Sequence, residues 1–122
     1  MLAGFGEACG IDRETALRLG RGFGSGMGLG KTCGALTGAF LILGLKVQDA
    51  KHEKEARYRT YDLVREFVRR FEAIHGTSRC SDLLGVDMAT ESGRREAQER
   101  KLFRSLCPVY VHDAAVILAD ML

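Results

Sequence analysis

Cys33, Cys80 and Cys107 are the residues of this chain whose type and placement could do chemistry. A thiolate attacks disulfides and binds soft metals, whereas a protonated thiol does neither. Cys33 follows Thr32 at the start of a long apolar stretch, Cys107 directly precedes Pro108 at the N-cap of a C-terminal helix, and Cys80 follows the loop 76–79 and opens the short apolar turn 81–85. All three sit at expected helix starts, where unpaired N–H groups and the positive end of the dipole stabilise a thiolate. Cys33, with Lys31 nearby, is expected to be the most acidic, and the three sulfurs are expected to share one pocket beside the loop 22–30. The plain alternative for each is a small buried hydrophobe, a common fate of free cysteine. Cys9, at a helix end before Gly10, is read that way. A zinc site favours paired C-x-x-C spacing, and the gaps here are long, so metal ligation by Cys33, Cys80 and Cys107 rests only on the ability of dispersed thiolates to meet in space. His52 and His75 flank a long helix; His112, one turn into the last helix, could face Cys107 but reads as a surface residue. Tyr58, Tyr61 and Tyr110 read as core-edge aromatics.

Just before Cys33 the chain runs GRGFGSGMGLGKT from Gly20 to Thr32. Such a loop can adopt positive φ and expose consecutive backbone N–H groups. Its end, SGMGLGKT, departs from the P-loop pattern G-x-x-x-x-G-K-[ST] only at Ser25. A P-loop works between a strand and a helix of a parallel sheet, however, and the residues before this loop look helical. Nucleotide binding is therefore the weakest of three readings.

The elements that must hold these residues are helices. Between His52 and His75, Ala56, Leu63, Val64, Phe67, Val68, Phe71 and Ile74 recur at helical spacing, with Gly76 as a stop. A second amphipathic helix ends the chain after Pro108, with Val111, Ala114, Ala115, Ile117, Leu118 and Met121 inward. A surface helix is expected from Thr90 to about Phe103, and a short one after the N-cap Asp12, with Ala16, Leu17, Leu19 and Phe23 inward; residues 2–9 read as the tail of a helix stopped by Gly10. The stretch 33–47 is apolar on nearly every face and reads as a central buried helix on which Gly34 and Gly38 permit close approach. No region alternates with period two, so the fold class is all-α, in one domain spanning 1–122. With 18 basic and 16 acidic residues there is no basic field for nucleic acid, and the longest apolar run, 39–45, is far below the ~20 residues of a membrane span. The absence of a basic leader points to a cytoplasmic setting and reduced thiols. The apolar central helix also points to a homo-oligomer, most simply a dimer.

The ordered cysteines and the glycine loop resemble a family held to be redox-active and named after its own motif, C-GCAxxG-C-C. The resemblance is carried by GFGSGMG at 22–28, Cys33-Gly34-Ala35-Leu36-Thr37-Gly38, Cys80 in RCSDLLG and Cys107 in CPVYVHDA, and it spans nearly the whole chain. This chain reads Cys-Gly-Ala where the label has Gly-Cys-Ala, and only Cys9 stands near the label's first cysteine. The resemblance implies that Cys33, Cys80 and Cys107 are redox or ligand thiols, with Gly24, Gly26, Gly28, Gly34 and Gly38 enclosing a cofactor. A related segment occurs in split-Soret cytochrome c proteins, but this chain has no C-x-x-C-H haem attachment sequence. The leading reading is a thiol-exchange or electron-transfer module acting with a redox partner protein and open to a metal ion or iron–sulfur cluster. The competing reading is a non-catalytic metal- or ligand-binding helical protein.

Overall fold

The computed structural model describes residues 1–122 as eight α-helices and no strands, in accord with the all-α expectation. They are α1 (Leu2–Phe5), α2 (Arg13–Gly20), α3 (Gly34–Lys46), α4 (Glu53–His75), α5 (Cys80–Leu84), α6 (Glu91–Glu99), α7 (Leu102–Ser105) and α8 (Cys107–Met121). Their ends follow capping chemistry: Asp12 accepts from the Thr15 N–H at 2.9 Å, Thr90 from Gly93, and His52 Nδ1 from Glu55, while Gly76 closes α4 in the left-handed region.

The buried side chains divide into two groups. The main core gathers Leu36, Ala39, Ile42 and Leu43 of α3, Phe67 and Phe71 of α4, and Ala114, Ile117 and Leu118 of α8. A smaller core holds Cys80 and Leu84 of α5, Val86, Met88, Ala97 of α6 and Leu102 of α7. Cys33 packs against the first and Cys107 against the second; Tyr110 touches both. The thiol-bearing helix starts thus lie along the seam between two cores.

Several sequence expectations change. The single helix expected from Thr90 to Phe103 is two, because Lys101 takes a left-handed conformation (φ 55°) and turns the chain so that Ala97 and Leu102 both reach the smaller core. Ile74 and Val111, expected inward, are 61% and 43% exposed. On α4 the neighbouring His75 takes the inward position, with a side chain only 13% exposed. On α2 only Ala16 is buried, while Leu17 and Leu19 face out. The central helix is covered largely from within the chain by α4 and α8, leaving Leu41 and Leu45 exposed, so its apolarity by itself requires no second copy. The 20-residue stretch Leu102–Met121, which comprises α7 and α8, contains an 18-residue window of mean hydropathy 1.4 and so is long and apolar enough to cross a membrane by length and composition alone, which the count of unbroken apolar residues had missed.

Candidate thiol site

Two backbone hydrogen bonds build the site. The Cys33 N–H donates to the Ser78 carbonyl at 2.9 Å and the Cys80 N–H to the Lys31 carbonyl at 2.6 Å, making Thr32 and Arg79 an isolated antiparallel bridge. This is the smallest possible ladder. Cys33 and Cys80 each directly follow the bridged pair, and each is held to the opposite segment by its own N–H. Beyond the bridge each strand-like segment turns directly into a helix, α3 after Cys33 and α5 at Cys80. Cys107 arrives from the other side as the first residue of α8, one position inside the N-cap expected for it, with Leu106 as the cap.

The three thiols lie within electrostatic reach of one another. A negative charge at Cys33 raises the pKa of both Cys80 and Cys107, and one at Cys107 raises that of Cys80. Cys80, 7% exposed, is the most secluded, and burial together with its two neighbours pushes its thiol up to about 11. Burial also raises Cys33 and Cys107. At Cys33 the backbone N–H groups of Ala35 and Leu36 oppose that rise, as expected for an α3 N-cap, whereas the exposed Lys31 adds nothing to it. Against the expectation of thiolates favoured at helix ends, burial raises all three thiols, and backbone N–H groups oppose it at Cys33 and Cys107 without reversing it. All four cysteines are free, and Cys9 packs on the main core from the turn before Gly10.

The site is a seam, and no cysteine lines any of the main surface cavities. The glycines expected to enclose a cofactor largely serve the chain's own packing. A Cβ at Gly34 would stand 2.9 Å from the Phe23 carbonyl oxygen, one at Gly38 would stand 2.8 Å from Met1 Cβ, and one at Gly26 would stand 2.6 Å from the Lys31 carbonyl oxygen. Gly24 and Gly28 face open space. Gly24, Gly34 and Gly38 also border a 390 Å³ cleft with Met1, Leu2 and Phe23. The P-loop reading fails, because no strand precedes the loop and residues 25–28 instead wind through the left-handed region (φ 52°, 60°, 63° and 67°). No group of three or more His, Cys, Asp or Glu side chains is arranged to hold a metal ion, so the reading of Cys33, Cys80 and Cys107 as ligands gains nothing from the geometry.

Sequence reasoning overlooked the residues that brace the seam. Tyr110 Oη donates to the Leu83 carbonyl at 2.8 Å, tying α8 to α5. The His75 ring lies between Tyr110 (centroids 4.9 Å apart) and Phe71 (4.6 Å), and its Nε2 is 2.8 Å from Asp113 Oδ2. Asp113 also meets His112 Nδ1 at 3.0 Å, and that bond, ahead of the one to His75, holds its carboxyl below the usual carboxylate range. The signal was present in the sequence: Cys107, Tyr110 and Asp113 recur at three-residue spacing on one helix.

Three free thiols near one another at helix starts make this an all-α protein with a cysteine cluster. The chain belongs to the family described as "Putative redox-active protein (C_GCAxxG_C_C)", whose match spans residues 1–121. No curated protein and no solved structure matches this chain.

Proposed function

We propose that the chain is a thiol–disulfide exchange module in which Cys33 meets an external disulfide and Cys80 is its internal partner. The observation that supports this most directly is the bridge of Thr32 with Arg79, whose two hydrogen bonds are donated by the Cys33 and Cys80 N–H groups and so keep both residues at one junction. A disulfide spans ~4.4–6.8 Å between Cα atoms, and oxidation brings Cys33 and Cys80 into that range. Cys33 is the entry thiol because it is only half-buried and carries the two N–H groups that receive developing thiolate charge.

In the reaction, Cys33 loses its proton to solvent and its sulfur attacks one sulfur of the substrate disulfide, forming a mixed disulfide and expelling one thiolate, which takes up a proton. Cys80, deprotonated in turn, attacks Cys33 Sγ and expels the second substrate thiolate. The substrate gains two electrons and the protein gains one Cys33–Cys80 disulfide; the reverse sequence reduces the protein. Because burial disfavours thiolate at both positions, both thiols rest protonated, and each must give up its proton before its sulfur attacks.

Treating reduced protein with oxidised glutathione, blocking the remaining thiols and mapping the peptides tests the reading. At the earliest times one disulfide containing Cys33 should form, and Cys33→Ser should abolish oxidation of the protein. No oxidation of the folded protein, or equal oxidation of Cys33→Ser, overturns it. Self-association belongs to the same reading: Leu41 and Leu45, with Leu2, Ile11 and Phe40, line an apolar groove available to a second copy. Sedimentation at low micromolar concentration should show a dimer that Leu41→Lys disperses; a monomer at every concentration removes this part.

A further inference from the structure

The exchange pair leaves Cys107 unused, yet the fold spends its one side-chain tie between α5 and α8 beside it. Tyr110 Oη bonds the Leu83 carbonyl. Cys107 lies three residues before Tyr110, and Cys80 three residues before Leu83. On a helix, residues three apart are neighbours on one face. The bond therefore holds together two helix faces that each carry a cysteine one turn back. Cys80 belongs to the small core and Cys107 packs against it, and that core reaches the main one through Tyr110. Further along α8, Asp113 binds His75 of α4, so the first two turns of α8 are clamped from both sides.

We infer that Cys107 receives the disulfide from the exchange pair, by attack on Cys80 of the Cys33–Cys80 bond, and that Tyr110 is the residue that positions it. This rests on the exchange reading and assigns the third thiol within it. Cys107 loses a proton, its sulfur bonds to Cys80 Sγ, and the Cys33–Cys80 bond breaks, leaving Cys33 as a thiolate that regains a proton. One disulfide is exchanged for another with no net transfer of electrons, so the step requires no oxidant beyond the disulfide substrate that loaded Cys33. Cys80 is the necessary middle member, being the most buried of the three, while Cys33 and Cys107 are both partly exposed. The entry thiol is returned free while the protein stays oxidised. The Cys80–Cys107 bond is then the form presented to a reductant, on the other side of the seam from where the substrate entered.

Time-resolved acid quenching after adding one equivalent of oxidised glutathione to the whole chain, followed by peptide mapping, separates the steps. The Cys33–Cys80 linkage should appear first and give way to Cys80–Cys107, with Cys33 alkylatable again. Cys107→Ser should halt the sequence at Cys33–Cys80. Tyr110→Phe, which removes only the hydroxyl, should slow the second step about tenfold and leave the first unchanged, since small misplacements of reacting groups carry rate penalties of that size or more. Asp113→Asn, which loosens the clamp from the His75 side, should slow the same step and provides a second variant should Tyr110→Phe fold poorly. A wild-type linkage that stays at Cys33–Cys80, or Tyr110→Phe slowing both steps equally or neither, overturns the relay while leaving the exchange pair intact. Failure to form Cys33–Cys80 at all overturns the exchange reading itself.

Discussion

Gly28 and Gly30 share φ +67°, but a Cβ at Gly28 would meet nothing within 4 Å. One at Gly30 would overlap Ser81 Oγ and stand 3.2 Å from Ser81 Cβ and 3.4 Å from Met88 Cβ. Ser81 Oγ cannot simply rotate away, because it accepts a 2.9 Å hydrogen bond from the Met88 N–H. Alanine at either position carries the left-handed penalty of about 1–2 kcal/mol. Gly30→Ala adds overpacking of about 1–3 kcal/mol and, if Ser81 turns, about 1 kcal/mol for the lost bond. The expected losses are thus about 1–2 kcal/mol for Gly28→Ala and about 3–5 kcal/mol for Gly30→Ala, the latter a large part of a typical ~5–15 kcal/mol stability. Urea unfolding of the reduced proteins, followed by far-ultraviolet dichroism, measures both. Adding Ser81→Gly to Gly30→Ala should recover most of the difference between the two variants. Equal losses at Gly28 and Gly30 would refute the close approach between the glycine loop and α5, and with it the account of how the loop seats Lys31 against Cys80.

Glu66, paired with Arg69 and Arg70, has its pKa lowered from 4.5 to about 2, so its contribution is present above pH 4.5 and is lost as pH falls toward 2. Urea midpoints across that range should fall for the wild type and flatten for Glu66→Gln; parallel acid slopes would contradict the pairing. Cys80 shifts the other way, from 9.0 to about 11, so the folded reduced protein retains a proton that the unfolded chain has lost. Stability of the reduced form should fall by about 2–3 kcal/mol between pH 9 and 11, and Cys80→Ser should show a smaller loss. Alkylation at graded pH should label Cys80 last, and early labelling would argue against its burial. Ser25, at φ 52° with no side-chain hydrogen bond in its cap position, should gain about 1 kcal/mol on replacement by glycine, read as a higher thermal midpoint.

Helix positions were legible where a local rule dictates them. The Asp12 cap, the helix opening at Thr90, the Gly76 stop, the unbroken apolarity of α3 and the apolar spacing of α4 each act over a few residues, and their imprint survives in sequence. The break at Lys101 was hidden, because nothing local favours a left-handed lysine. It is the separate burial of Ala97 and Leu102 that demands it. The cysteine set was legible from position at helix starts, but the electrostatics were not. Dipole and N–H effects are encoded locally, whereas the desolvation that reverses them comes from residues distant in sequence. Tyr110 illustrates the same limit, since its partner Leu83 is 27 residues away and no spacing rule links a tyrosine hydroxyl to a distant carbonyl.

The division into two cores gives each disulfide a different mechanical meaning. A bond from Cys33 to Cys80 encloses all of α3 and α4, the larger part of the main core, in a covalent ring. By the loop-entropy argument such a ring stabilises by about 4 kcal/mol. A bond from Cys80 to Cys107 encloses α5, α6 and α7 instead, and so fastens the smaller core while releasing the larger. Oxidation state would then be written as the half of the molecule that resists unfolding and proteolysis. A protease or chaperone could read it without ever touching a sulfur atom.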